Sequence, residues 1–219
     1  MKLRNIEIFE VDKNKKGDLF GRLMSDLFHA LGYEEPRLNI QKSGREIDLH
    51  AHHRTEQKIA IAECKAHVET VGGTDINKFV GIIDAEKRKT KKKNYKDIIG
   101  YFISLSGFKE TAIEQEMDCS NNRVILIKPE KIVQELINGR ILVSKENAIS
   151  SLSSLTTGLT LLDYVDLLAY ENGWVWAFYY SNSNGQKASN FALVHAEGKP
   201  LIKDLAEGIV DIDNRHYIH

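Results

Sequence analysis

The stretch SGREIDLHAHHRTEQKIAIAECKAH, residues 43–67, decides how the first two-thirds of the chain is read. Residues 47–53 read as a strand with Asp48 near its start. Arg54-Thr55-Glu56-Gln57 is a hairpin-like loop. Residues 58–65, KIAIAECK, are mostly small or apolar, as expected of a strand in the middle of a sheet. Glu63 and Lys65 are two apart on it and therefore point to the same face. The short loop suits an antiparallel pair that sets Asp48 beside Glu63. Two adjacent carboxylates repel each other and favour a bound hard cation, typically Mg2+ with several waters retained. A lysine on the same face can position a hydroxide and offset charge on a pentavalent phosphate.

Outward from this pair the pattern is that of an α/β domain. Toward the N-terminus, residues 2–11 suit a short strand and 12–17 a polar turn. A helix follows, with Leu19, Phe20, Leu23, Met24, Leu27 and Leu31 at helical spacing, Asp18 as its cap and Gly32 as its end. Residues 37–41 are a further strand candidate. Toward the C-terminus, Gly72-Gly73 leads to a helix capped by Thr74 or Asp75. Residues 98–105 and 123–127 are buried strands, each followed by a helix, near 109–118 and 130–138. The order predicts a mixed central sheet flanked by helices over residues 1–144.

The composition changes after about residue 145. Six Ser and Thr between 150 and 157 read as a polar, linker-like segment. Residues 161–170 suit a short helix or strand. WVWAFYYS at 174–181 is strongly β-prone, with a turn at 182–185 and a returning strand over 189–196. Residues 202–210 could form a closing helix. Residues 145–219 are thus expected to be a small α+β module. Trp174, Trp176, Phe178, Tyr179 and Tyr180 could offer bases a stacking surface, but core packing or a dimer face is the favoured role.

The ordered segments resemble the PD-(D/E)xK nuclease superfamily, and within it the Mrr-like restriction endonucleases. GDLFGRLMSDLFHALGY is similar to that family's opening helix, SGREID to its turn and first catalytic Asp, and IAIAECKAH to its Glu-x-Lys strand. INKFVGIIDAEK is similar to the next helix, and GYFISLSGFKETAIEQE to the strand, Gly-Phe turn and helix beyond. The resemblance implies Mg2+-dependent hydrolysis of DNA phosphodiesters, with Mn2+ able to substitute. It implies Asp48 and Glu63 as metal ligands joined by the Cys64 backbone carbonyl, and Lys65 orienting the attacking water. The sequence departs from the pattern at Gly21, where relatives often carry a Glu, with Asp18 one turn earlier as a partial substitute. It departs also at Ile47, which replaces the usual Pro.

Bulk properties are compatible with this reading. The 219 residues carry a formal net charge of -1, so a nucleic-acid partner has to be held by local charge. KRKTKKKNYK at 87–96 holds seven basic residues; Lys87, Arg88, Lys89, Lys91, Lys92 and Lys93, together with Lys78, are candidates for gripping phosphates. A solvated loop is the plain alternative for the run. His50 and His52 share the face of Asp48; a transition-metal site is imaginable, but a polar strand leaving the core is the simpler reading, and His53 and His67 are read likewise. Cys64 and Cys119 are read as reduced thiols, Cys64 as a small buried hydrophobe. No signal-like or membrane-spanning run is apparent, so a soluble, cytoplasmic protein is expected, with no membrane partner. The expected activity is an endonuclease on double-stranded DNA, in prokaryotic restriction or antiphage defence. A homodimer or larger assembly would permit cutting of both strands. The alternatives are a catalytically silent DNA- or protein-binding module of the same fold, or the effector part of a larger defence complex that needs an activator.

Overall fold

The computed structural model describes residues 1–8, 10, 12–42, 45–66, 69–90, 97–118, 124–170, 173–182, 187–201 and 206–207. The chain forms two compact units, Phe20–Gly139 and the combination of Met1–Leu19 with Arg140–His219.

Unit Phe20–Gly139 is built on a five-stranded sheet. Its strands are β2 (Tyr33–Lys42), β3 (Arg45–His53), β4 (Lys58–Lys65), β5 (Asp97–Ser104) and β6 (Val124–Ile127), adjacent in that order. The pairs β2–β3 and β3–β4 are antiparallel, and β4–β5 and β5–β6 are parallel. This is the mixed sheet expected from the sequence. The parallel steps are bridged by α2 (Gly73–Thr90) and α3 (Glu110–Asp118), as parallel crossovers require. Ile76, Phe79 and Ile83 of α2 and Ala112 of α3 pack on Ile59, Ile61, Ile98 and Phe102. Gly100 permits the close approach: a Cβ there would lie 2.9 Å from the Ile83 Cδ1. The other face carries Tyr101, whose hydroxyl is 3.0 Å from that of Tyr33 and whose ring stands edge-on to Phe28 of α1 (Lys13–Ala30). Gly32, with φ +89, turns the chain out of α1, as expected. The helix α4 (Pro129–Asn138) closes the unit, burying Ile132, Val133 and Leu136.

β6 is an edge strand, and an acid from a neighbouring helix satisfies part of its ladder. The Leu126 N–H donates to Glu116 Oε1 of α3 at 2.8 Å. A buried edge amide is thereby kept from seeking another strand.

The second unit also has five strands, in the order β1 (Lys2–Ile8), β7 (Thr160–Tyr170), β8 (Gly173–Ser181), β9 (Asn190–His195), β10 (Ala206–Glu207). β1 runs parallel to β7, with Ile6 opposite Leu167; the remaining pairs are antiparallel. The first strand, expected with residues 1–144, thus belongs to the sheet of the C-terminal strands. A buried ion pair ties it there. Arg4 Nε donates to Asp166 Oδ1 at 3.0 Å, and Arg4 Nη2 pairs with Oδ2. The guanidinium sits 4.7 Å and 4.8 Å from the ring centres of Tyr164 and Tyr179. The Tyr179 hydroxyl donates to Asp166 at 2.8 Å. All five aromatic residues considered for stacking, Trp174, Trp176, Phe178, Tyr179 and Tyr180, are buried. They are core, which leaves no base-stacking surface among them.

Three local expectations are corrected. Residues 13–17 begin α1, because Asp12 caps it: its Oδ1 accepts from the Asn14 and Lys15 amides at 2.8 and 3.0 Å. Part of the expected linker is the helix α5 (Lys145–Leu152), capped by Ser144, with Ala148 and Leu152 buried on one side. Of the residues expected to form a closing helix, Ala206 and Glu207 are a strand, paired with Phe191 and Asn190 of β9; 202–205 and 208–210 lie outside the described residues.

Two measurements check these ties. Asp166→Ala would leave Arg4 half-buried without its partner, at a cost of about 3–5 kcal/mol. Both tryptophans lie in β8, so tryptophan fluorescence during urea unfolding reports on this sheet; an unchanged midpoint would contradict the pairing. Glu116→Ala is expected to cost about 1–3 kcal/mol by orphaning the Leu126 amide, and Glu116→Gln, which keeps an acceptor, should recover most of it. Hydrogen exchange at Leu126 is the direct readout.

Candidate active site

The register of β3 and β4 builds the site. Their ladder ends at Leu49 opposite Ala62, and the next residues along are Asp48 and Glu63. The Cys64 N–H donates to Asp48 Oδ2 at 2.7 Å, so the Asp48 side chain is fixed against the β4 backbone. In a strand the N–H and C=O of one residue point to the same neighbour. The Cys64 carbonyl therefore also faces the β3 side, while the Lys65 carbonyl faces β5 and accepts from the Leu105 N–H at 3.0 Å.

Lys65 Nζ donates to Glu63 Oε1 at 2.6 Å, and both side chains are partly exposed. Burial lowers the lysine pKa, but the bond to Glu63 and the charges of Glu63, Asp48 and Asp75 outweigh it, and the net shift is upward. Lys65 is thus an ammonium at neutral pH. Asp75 lies in the first turn of α2, where the sequence marks it only as a possible cap; its influence on Lys65 depends on where α2 starts relative to β4. Cys64 carries a free thiol, which burial first, and then Asp48 and Glu63, push well above its ordinary value.

The loops that follow β4 and β5 are fastened together. Val71 N donates to Gly107 O at 3.1 Å, Lys109 N to Val71 O at 2.8 Å, and Ser106 Oγ to Glu69 O at 2.7 Å. Both loops leave the strand ends beside Lys65, so the lacing restrains the backbone that carries it. The sequence held little sign of this: a Ser-Gly turn is visible, but its partner in another loop is not.

The oxygen donors present suit a hard cation. Asp48 offers a carboxylate of which, among the described residues, one oxygen is engaged, by the Cys64 amide; Glu63 adds a second carboxylate and Cys64 a carbonyl on the facing edge. Among the described residues no group of three or more His, Cys, Asp or Glu is placed to hold a metal. Two carboxylates and a carbonyl, with waters filling the remaining positions, match the habit of Mg2+ rather than of a softer metal.

The other candidates are dispersed. Asp18 is exposed on α1, in the part of the chain that belongs to the unit of Met1–Leu19 and Arg140–His219. Gly21 faces β2, where a Cβ would lie 2.8 Å from Leu38 Cδ1. Leu38 stands opposite Leu49, on the face away from Asp48. Lys78 and Arg88 are exposed on α2. Lys87, Arg88 and Lys89 form the last turn of that helix, a correction to the loop reading, and Lys89 Nζ bonds Glu86 at 2.8 Å. Three cations at a helix C-terminus also complement its dipole. Lys91, Lys92, Lys93, His67 and Cys119 lie outside the described residues.

Comparison with known proteins gives three findings. Residues 13–136 match the family model of the Mrr catalytic domain, described as a restriction endonuclease. No curated protein matches the chain. Among solved structures, a protein of unknown function, AF1548, is similar at 18% identity and TM-score 0.39, over 63% of this chain and 77% of that one. The MspJI restriction endonuclease, solved with a 27-mer oligonucleotide, is similar at 13% identity and TM-score 0.36, over 56% of this chain. The likeness spans 28% of the MspJI chain.

The raised thiol pKa gives a chemical check. With Cys119→Ser in place, a disulfide reagent at about pH 8, near the ordinary thiol pKa, is expected to label folded protein slowly and unfolded protein at once. The pH dependence of labelling should be displaced upward, because the thiolate is the reacting form. Rapid labelling of the folded chain would contradict the raised thiol pKa.

Proposed function

The chain belongs to the restriction endonuclease family of the Mrr catalytic domain, and on that premise we propose that it is a divalent-metal-dependent endonuclease hydrolysing DNA phosphodiester bonds. The observation that carries the reading is the meeting of Asp48, Glu63 and Lys65 at one end of β4, with the Asp48 carboxylate anchored by the Cys64 amide. A site that needed only structure would gain little from two carboxylates and an ammonium on partly exposed strand ends.

Mg2+, with Mn2+ as a substitute, would supply charge neutralisation at the phosphate and acidify a water. Asp48 and Glu63 are the proposed side-chain ligands, with the Cys64 carbonyl beside them. The Cys64 amide keeps Asp48 in one rotamer, so the ligand oxygen is held in place before the substrate arrives. Lys65 stays protonated; its role is to orient the attacking water by hydrogen bond and to offset charge that builds on the phosphoryl oxygens. Lys78 and Arg88 are proposed to grip backbone phosphates away from the centre, with Lys87 and Lys89 as weaker contributors. One centre cuts one strand, so a homodimer or larger assembly is proposed for double-strand cleavage. Restriction or antiphage defence in the prokaryotic cytoplasm is the setting such an activity fits. No helix among the described residues is long and apolar enough to cross a membrane.

Cleavage of supercoiled and linear plasmid with Mg2+ or Mn2+ tests the proposal. Wild type is expected to nick and linearise plasmid, and chelation to abolish this. Glu63→Ala and Lys65→Ala should each lower the rate at least about 100-fold, the scale for losing a preorganised charged group. Folded wild type that cuts no DNA with either metal, or variants that cut as fast as wild type, would sink the assignment.

A further inference from the structure

Among the described residues, the sheet of unit Phe20–Gly139 is covered unevenly, and the part they leave uncovered adjoins the candidate centre. α2 and α3 lie over β4–β6 on the face that holds Ile59, Ile61 and Phe102. On β3 the same face is taken by His50 and His52, which stand opposite Ile61 and Ile59. On β2, Arg37 stands opposite His50 and Glu34 opposite His52. Residues directly opposite in an antiparallel pair share a face. The reverse face of β3 is sealed, with Leu49 and Ala51 at 0% and 1% exposure. The face in question is open: Arg37 and His52 are exposed and His50 is half-buried. Asp48, His50 and His52 form one row along the strand, with steps of about 7 Å. The two imidazoles meet edge-on, 5.1 Å between ring centres.

We propose that this open face of β2–β3, formed by Arg37, His50 and His52, is a second nucleic-acid contact that holds the DNA phosphodiester backbone next to the phosphate at the centre. The assignment rests on the nuclease reading above and adds a surface distinct from the basic end of α2. Two features commit the face to a polyanion. Arg37 brings a permanent charge with a forked donor set that matches phosphate oxygens. The imidazoles bring N–H donors that serve in the neutral form, so the contact needs no protonation. The acid at the far end of the row, Glu34, is offset by Arg54, 3.7 Å away. The row runs directly from Asp48, so a strand lying along it reaches the centre without a change of direction.

Binding of a fluorescent duplex by the full chain, measured by anisotropy across a salt series without divalent metal, tests the inference. Arg37→Ala is expected to weaken binding about tenfold, the scale of one charge-assisted hydrogen bond. It should also lower the salt slope by about one, as for a lost phosphate contact. His50→Gln and His52→Gln should each weaken binding by a smaller factor, and Arg37→Lys should restore most of the salt slope. Thermal unfolding of each variant, expected to match wild type, separates loss of contact from loss of fold. Wild type that binds duplex while all three substitutions bind equally well, with the same salt slope, would overturn this inference and leave the nuclease reading standing. Wild type that neither binds nor cuts DNA would overturn the reading and the inference together.

Discussion

The hydrogen bond from the Cys64 amide to the Asp48 carboxylate exists only because β3 and β4 are paired in one register. The same register sends Leu49 and Ala51 into the core and leaves Asp48, His50 and His52 on the other face. A slip by one residue would exchange the two sets. It would bury a carboxylate and two imidazoles and expose the apolar residues, a cost of several kilocalories per mole from desolvation alone. The packing that stabilises the sheet therefore also fixes the geometry of the site. No separate device is required to bring Asp48 beside Glu63.

The central part of this design was readable in the sequence for a physical reason. Strand alternation has a period of two, so the placement of Glu63 and Lys65 on one face follows from their numbers, and a four-residue loop leaves few ways to pair the flanking strands. Residues 59–62 are apolar and buried, as a strand covered on both faces must be, and the polar positions fall at its ends. The parallel strand β5 was legible for the same reason, and β6 as an apolar run, although its Ile125 is exposed. Hydrogen bonds between distant loops were not, since the lacing of Glu69, Val71 and Gly107 depends on two turns meeting in space.

Where the reading failed, capping and long-range pairing had overridden composition. Lys13 to Gly17 looks like a turn because it is polar and ends in glycine, yet the Asp12 carboxylate satisfies two amides and lets the helix start there. Ser144 caps α5 by accepting from the Asn147 amide, in a segment whose serines suggest a linker. β1 was recognised as a strand, but nothing local reveals its partner. The partner is set by Asp166, 162 residues away, whose buried charge demands a cation and finds Arg4.

The electrostatics of the centre explain why its parts belong together. Two carboxylates against one ammonium leave a negative balance at the end of β4. Lys65 bonds Glu63 and stays charged, and it acts on Asp48 through its charge alone; among the described residues the hydrogen bond to Asp48 comes from a backbone amide, which is a dipole and not a counter-ion. A dication would reverse the local sign and make the same spot attractive to a phosphodiester, which the bare carboxylates repel. At the proposed centre, removing Lys65 would leave more negative charge to hold a cation but no fixed hydrogen-bond donor for a water and the phosphoryl oxygens. Binding of metal and turnover are thus expected to respond in opposite directions to loss of the lysine, and together to loss of either carboxylate. Such an asymmetry would mark a reaction centre, because an ion pair that served only the fold would show no such division.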